Sequence, residues 1–101
     1  MSGSAAEPAA SGPVIRVMKI INQKGLHARA SAKFVQTVEK FEAEVRVSRG
    51  GETVGGTSIM GLMMLAASPG TSITVEASGK DATAVVDALD TLLSNRFGED
   101  E

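Results

Sequence analysis

The stretch Gly25-Leu26-His27-Ala28-Arg29-Ala30 places the chain's one imidazole two residues before a guanidinium. It lies where a loop, Asn22-Gln23-Lys24-Gly25, gives way to an alanine-rich, helix-favouring segment. A group at a helix start faces backbone N–H donors with no partner inside the helix, and the positive end of the helix dipole. An anion arriving on His27 therefore meets donors already aimed at it. Arg29 adds a planar fork matched to phosphate oxygens. A neutral imidazole offers a ring nitrogen as nucleophile, and capture of a phosphoryl group by nitrogen gives a labile P–N bond that can be passed on. A lone histidine at a helix start is more often a cap or a solvated surface residue, but exclusion favours chemistry here. With no Cys and no second His, thiolate nucleophiles, disulfides, sulfur-ligated zinc and multi-histidine metal sites are ruled out. Neither a metal nor a cofactor is expected.

Thr57-Ser58-Ile59-Met60-Gly61-Leu62-Met63-Met64-Leu65 is the second informative stretch. Ser58 is a natural N-cap. It is either only that or a regulatory phosphorylation site, where a phosphate of about −2 charge would sit at a helix N-terminus and be tolerated. A short helix cannot bury Ile59, Met60, Leu62, Met63, Met64 and Leu65 together. Either some stand exposed as a docking patch for several partners, or the methionines fill an irregular core.

The elements that must hold these residues follow from periodicity. Residues 14–21 are rich in Val and Ile and read as a strand, but with apolar groups on both faces, the pattern of a strand covered on both sides or interior. Residues 28–40 read as a helix, with Ser31, Phe34, Val35, Val38 and Phe41 at helical spacing. Residues 44–49 alternate, with Val45 and Val47 on one face, and Gly50-Gly51 turns the chain into a short strand at 52–55. A short helix spans about 59–66 and stops at Ser68-Pro69-Gly70. Residues 72–78 alternate again, and Ala82, Val85, Val86, Leu89, Leu92 and Leu93 form the stripe of a last helix. Asp81 is its expected N-cap, with Arg96 in its last turn and Gly98 just beyond. The order is βαββαβα. Strands apolar on one face only favour an α+β layer pair, an antiparallel sheet with helices on one side.

With 101 residues, 43% of them apolar, the chain has room and material for one domain. Ten basic against twelve acidic residues leave a net charge of −2, which argues against a nucleic-acid partner. The longest apolar stretch, residues 59–67, is interrupted by Gly61 and falls far short of the roughly 20 residues that cross a bilayer. No membrane insertion is expected. Residues 1–13 have neither the basic start nor the apolar run of a signal peptide, which points to the cytoplasm. Their composition reads as a disordered tail, residues 98–101 as a short acidic tail, and 14–97 as the folded domain.

With both stretches in view, the sequence resembles the histidine-containing phosphocarrier (HPr/NPr) family of the phosphoenolpyruvate-dependent phosphotransferase system. Gly-Leu-His-Ala-Arg resembles its active-site signature and Ser-Ile-Met-Gly-Leu-Met its serine-site signature, and the likeness runs from about Met18 to Leu93. The resemblance implies an open-faced β-sandwich with strand order 1-4-2-3 and three helices on one face. It implies that His27 accepts a phosphoryl group on Nδ1 from phosphorylated enzyme I and passes it to a histidine of an EIIA domain, with Arg29 stabilising the group in transit. Ile59, Met60 and Met63 match exposed docking residues. Ser58 matches the site of an ATP-dependent HPr kinase/phosphorylase, whose phosphate would slow carriage at His27. Two positions depart from the family pattern. Ala30 stands where proline is usual, and Thr57 where lysine often precedes the serine. Such a protein is a carrier, not an enzyme, and its size fits a monomer with transient partners. The competing reading is a regulatory interaction module controlled at Ser58, or a nitrogen-branch carrier that moves no sugar.

Overall fold

The structure, a computed structural model, describes residues 12–99. The expected tail at 1–13 lies outside the described residues except for Gly12 and Pro13, as do Asp100 and Glu101. The elements are β1 (Val14–Lys19), α1 (Ala28–Val38), β2 (Glu44–Arg49), β3 (Glu52–Gly55), α2 (Ile59–Met64), β4 (Ser72–Ser78) and α3 (Ala82–Ser94), followed by a 3₁₀ turn, Arg96–Gly98. The four strands form one antiparallel sheet ordered β1-β4-β2-β3, the 1-4-2-3 order. Three helices complete the α+β open-faced sandwich.

The period-2 pattern decides which face is covered. Val45 pairs with Ala77 and Val47 with Val75 across β2 and β4, Met18 pairs with Ile73 across β1 and β4, and all six are buried. Their neighbours Glu44, Arg46 and Glu76 point to the open face and are exposed. Above the covered face α1 contributes Phe34, Val35 and Val38, and α3 contributes Val85, Val86, Leu89 and Leu93. Each large apolar side chain so buried stabilises the fold by about 1.5–3 kcal/mol. The Gly50-Gly51 turn has both residues at positive φ, 58° and 86°, as a two-residue hairpin matching the right-handed twist of its strands requires.

Three local expectations are corrected. First, β1 is neither interior nor covered on both sides. It is an edge strand, with Ile15 and Val17 60% and 65% exposed on the open face. Its inner face carries Val14, Arg16 and Met18, and Arg16 reaches α3, 2.9 Å from Asp87 and 3.2 Å from Asp90. The hydrogen bond to Asp87 holds the Arg16 guanidinium pKa above its ordinary value. Second, Asp81 precedes α3 but does not cap it through its side chain. Its carboxylate accepts from the Glu42 amide at 2.8 Å, so it ties the α1–β2 loop to the helix start. Third, α3 ends at Ser94 and α2 at Met64, so Arg96 and Gly98 belong to the 3₁₀ turn beyond the last helix.

Candidate functional site

The backbone before α1 is shaped by Gly25. Its φ is +66°, and a Cβ added there would stand 2.4 Å from the carbonyl oxygen of Ala67. That carbonyl accepts from the Leu26 amide at 3.0 Å, so the loop leading to His27 is sewn to the segment after α2. Leu26 is buried, which anchors the loop on the core.

His27 is the N-cap residue of α1, with extended backbone (φ −77°, ψ −177°) and no side-chain cap bond. Its carbonyl accepts the first helical bond, from Ser31 N at 2.8 Å. The imidazole is thus free of capping duty while standing at the end of the helix where the amides of Ala28, Arg29 and Ala30 open the first turn. Its side chain is 27% exposed, so the ring is held yet reachable. Arg29 is exposed in the same turn and makes no hydrogen bond or ion pair with His27 among the described residues. An exposed guanidinium two residues along can swing toward an anion on the ring. Ala30 is fully buried, so a small residue keeps the helix start close to the core.

Two further residues complete the surroundings of the ring. Glu99 Oε2 lies 2.5 Å from His27 Nε2, with the Glu99 side chain only 12% exposed. The Asn22 amide nitrogen donates to Glu99 Oε1 at 3.1 Å and to the Gly25 carbonyl at 2.8 Å, and Asn22 itself is fully buried. Neither residue was identified from the sequence. Glu99 is 72 positions from His27, and an acidic residue near the chain end carries no local pattern that would announce it. Asn22 read only as part of a loop.

Ser58 caps α2 as its residue type predicts, its Oγ accepting from the Gly61 amide at 3.0 Å. It is exposed. The apolar groups of α2 divide as a one-and-a-half-turn helix must. Leu62 and Leu65 are buried, and Ile59, Met60, Met63 and Met64 stand out, with Met60 and Met64 69% and 75% exposed. The methionines therefore do not fill the core. Met64, absent from the sequence-derived docking residues, is the most exposed of the four. Helix α1 packs against α2, which makes the histidine-bearing and serine-bearing helices neighbours. Arg49 on β2 donates to the Leu65 carbonyl at 3.0 Å and closes the far end of α2.

Among the described residues no group of three His, Asp or Glu could hold a metal ion, and no helix is long and apolar enough to cross a membrane. The fold and the site define a small α+β domain presenting one reachable histidine at a helix start. Comparison with known proteins places it more closely. Residues 14–95 match the family described as PTS HPr component phosphorylation site. The phosphocarrier protein HPr of Cupriavidus necator is 52% identical over 82 residues, 81% of this chain and 92% of that protein. The phosphocarrier protein NPr of Shewanella violacea is 37% identical, over 83% of this chain and 92% of that protein. The crystal structure of HPr-C-His from Thermoanaerobacter tengcongensis superposes with a TM-score of 0.83 at 38% identity, covering 87% of this chain and 99% of that one. The chain belongs to the HPr family of phosphocarrier proteins of the phosphotransferase system.

Proposed function

We propose that His27 is the residue on which this chain carries the phosphoryl group, received from phosphorylated enzyme I and delivered to a histidine of an EIIA domain. The observation that supports it most is the station of the ring. It stands on the N-cap of α1, uninvolved in capping, 27% exposed, with its Nε2 occupied by Glu99. That leaves Nδ1 as the attacking nitrogen. Oxygens of a phosphoryl group on the ring would meet the first-turn amides, and the Arg29 guanidinium would offset their charge. The chain acts as a relay intermediate, not as an enzyme, and residues 14–97 form the carrier domain, with Glu99 of the expected acidic tail packed against it at His27. We place it in the cytoplasm as a monomer with transient partners.

The test is phosphorylation by phosphoenolpyruvate plus enzyme I. The label is expected to be acid-labile and absent from His27→Ala. An acid-stable label, or labelling that survives His27→Ala, overturns the assignment.

Ile59, Met60 and Met63 form the docking surface in this reading, and Ser58 is the regulatory site of an HPr kinase/phosphorylase. A phosphate at Ser58 would stand beside exposed apolar groups that a partner must cover, and burying that charge costs more than burying the hydroxyl. A second reading, a nitrogen-branch carrier that moves no sugar, is favoured by the NPr relative. Transfer assays with EIIA domains of the two branches distinguish them.

A further inference from the structure

We propose that Glu99 is a positioning residue for His27, fixing which ring nitrogen is the nucleophile and balancing the ring's charge while the phosphoryl group is aboard. This inference rests on the carrier reading of His27.

A carboxylate only accepts hydrogen bonds, so the 2.5 Å approach of Glu99 Oε2 to His27 Nε2 places a ring proton on Nε2, and in the neutral ring the lone pair is then on Nδ1. The carboxylate is itself oriented, because its other oxygen accepts from the buried Asn22 amide. The arrangement has the logic of a base held in one tautomer by a buried acid, with Asn22 as the third member.

The chain end is forced into this place. Arg96, Phe97 and Gly98 take φ of 55°, 56° and 77°, three successive left-handed residues of which only the last is glycine. Left-handed backbone at a non-glycine residue is strained and persists only where the surroundings impose it. Two contacts impose it here. Phe97 is buried to 1% exposure, and Lys33 Nζ on α1 donates to the Phe97 carbonyl at 2.6 Å. The turn thus hooks the tail over α1 and delivers the Glu99 carboxylate to the ring at the helix start.

The transfer then balances without moving a proton. The Nδ1 lone pair attacks phosphorus, the P–N bond to the donor's histidine breaks, and that bond's electron pair stays with the donor. The His27 ring, still carrying its Nε2 proton, becomes cationic and pairs with the Glu99 carboxylate. On delivery the P–N bond electrons return to Nδ1 and the ring is again neutral with the same proton in place.

The test combines ¹⁵N-detected imidazole spectra with single-turnover transfer from phosphorylated enzyme I, in wild type, Glu99→Gln and Glu99→Ala, with thermal melts confirming the fold. In the wild type the Nε2 proton should be observed directly, downfield and slow to exchange. Glu99→Gln keeps an acceptor and should retain that proton less far downfield. Glu99→Ala should lose it to solvent exchange and slow transfer by about tenfold, the worth of one charge-assisted hydrogen bond. An unobservable Nε2 proton in the wild type, or transfer by Glu99→Ala at the wild-type rate, overturns the positioning role while leaving His27 as carrier. Failure of the wild type to accept any phosphoryl group overturns the carrier reading, and this inference with it.

Discussion

Gly25 and Ala67 touch backbone to backbone: the space a Cβ would take on Gly25 holds the Ala67 carbonyl, 2.4 Å away. The loop that presents His27 and the segment that closes the Ser58 helix are therefore one packed unit. Gly25→Ala combines this collision with a φ of +66°, which a side chain rarely adopts. Either the loop withdraws from Ala67, breaking the Leu26–Ala67 hydrogen bond, or the whole domain is strained. We expect a loss of about 2–4 kcal/mol in urea unfolding and slower phosphorylation of the surviving folded protein. Wild-type stability in that variant would mean the contact is slack.

Ser58→Ala and Ser58→Asp should separate the structural from the regulatory work of that side chain. Alanine removes the acceptor for Gly61 N and should cost about 1 kcal/mol, read from chemical denaturation. Aspartate keeps an acceptor and adds the charge favoured at a helix start, so its stability should match or exceed that of wild type. Its phosphorylation by enzyme I should nevertheless be slower, because a charge is placed in the apolar contact. If Ser58→Asp is phosphorylated as fast as wild type, charge at this position does not govern docking.

What could be read from the residues, and what could not, divides by distance along the chain. The strands at 44–49 and 72–78 announce themselves because alternation is local and one face is buried, and α3 does so by its stripe from Ala82 to Leu93. His27 was legible because a loop and a helix start adjoin it in sequence. Strand β1 misled because Ile15 and Val17 are apolar yet face solvent, and composition does not say which face of a sheet is left open. Asp81 is the right residue type for a cap, but its carboxylate is engaged by Glu42 N, 39 positions away. The Glu99–His27–Asn22 cluster is of the same kind. It exists only once the tail folds back through three left-handed residues, and no pattern within a few positions encodes that return.

Met60→Glu tests the apolar patch on α2. Met60 is 69% exposed, so its replacement should leave the melting temperature within a degree or two. A charge at the centre of an apolar docking surface should weaken binding to enzyme I by roughly tenfold or more, the effect of losing one central contact. Titration followed by heteronuclear NMR reads both the affinity and the residues that respond. Unchanged affinity would place the docking surface elsewhere, and Met64, exposed on the same helix, is the control that locates its edge.

Phe97→Ala acts on the site from a distance. The ring is buried to 1% exposure and sits between two residues whose φ values are also positive, so it is the anchor that keeps the strained turn closed. Removing it forfeits about 3–5 kcal/mol of burial and cavity energy if the domain cannot relax. The turn can relax, because the contacts from Lys33, Asn22 and His27 that hold it are side-chain contacts that can part without unfolding the sheet. We therefore expect a loss nearer 1–2 kcal/mol, with the released backbone strain offsetting part of the lost burial. The turn should open as a unit, seen as faster hydrogen exchange at Gly98 and Glu99, whose amides bond back to Asn95 and Arg96. Because Glu99 leaves with it, Phe97→Ala should reproduce the imidazole spectrum of Glu99→Ala although residue 99 is unchanged. A Phe97→Ala protein that keeps the wild-type Nε2 proton signal would show that Glu99 holds its place without the hook.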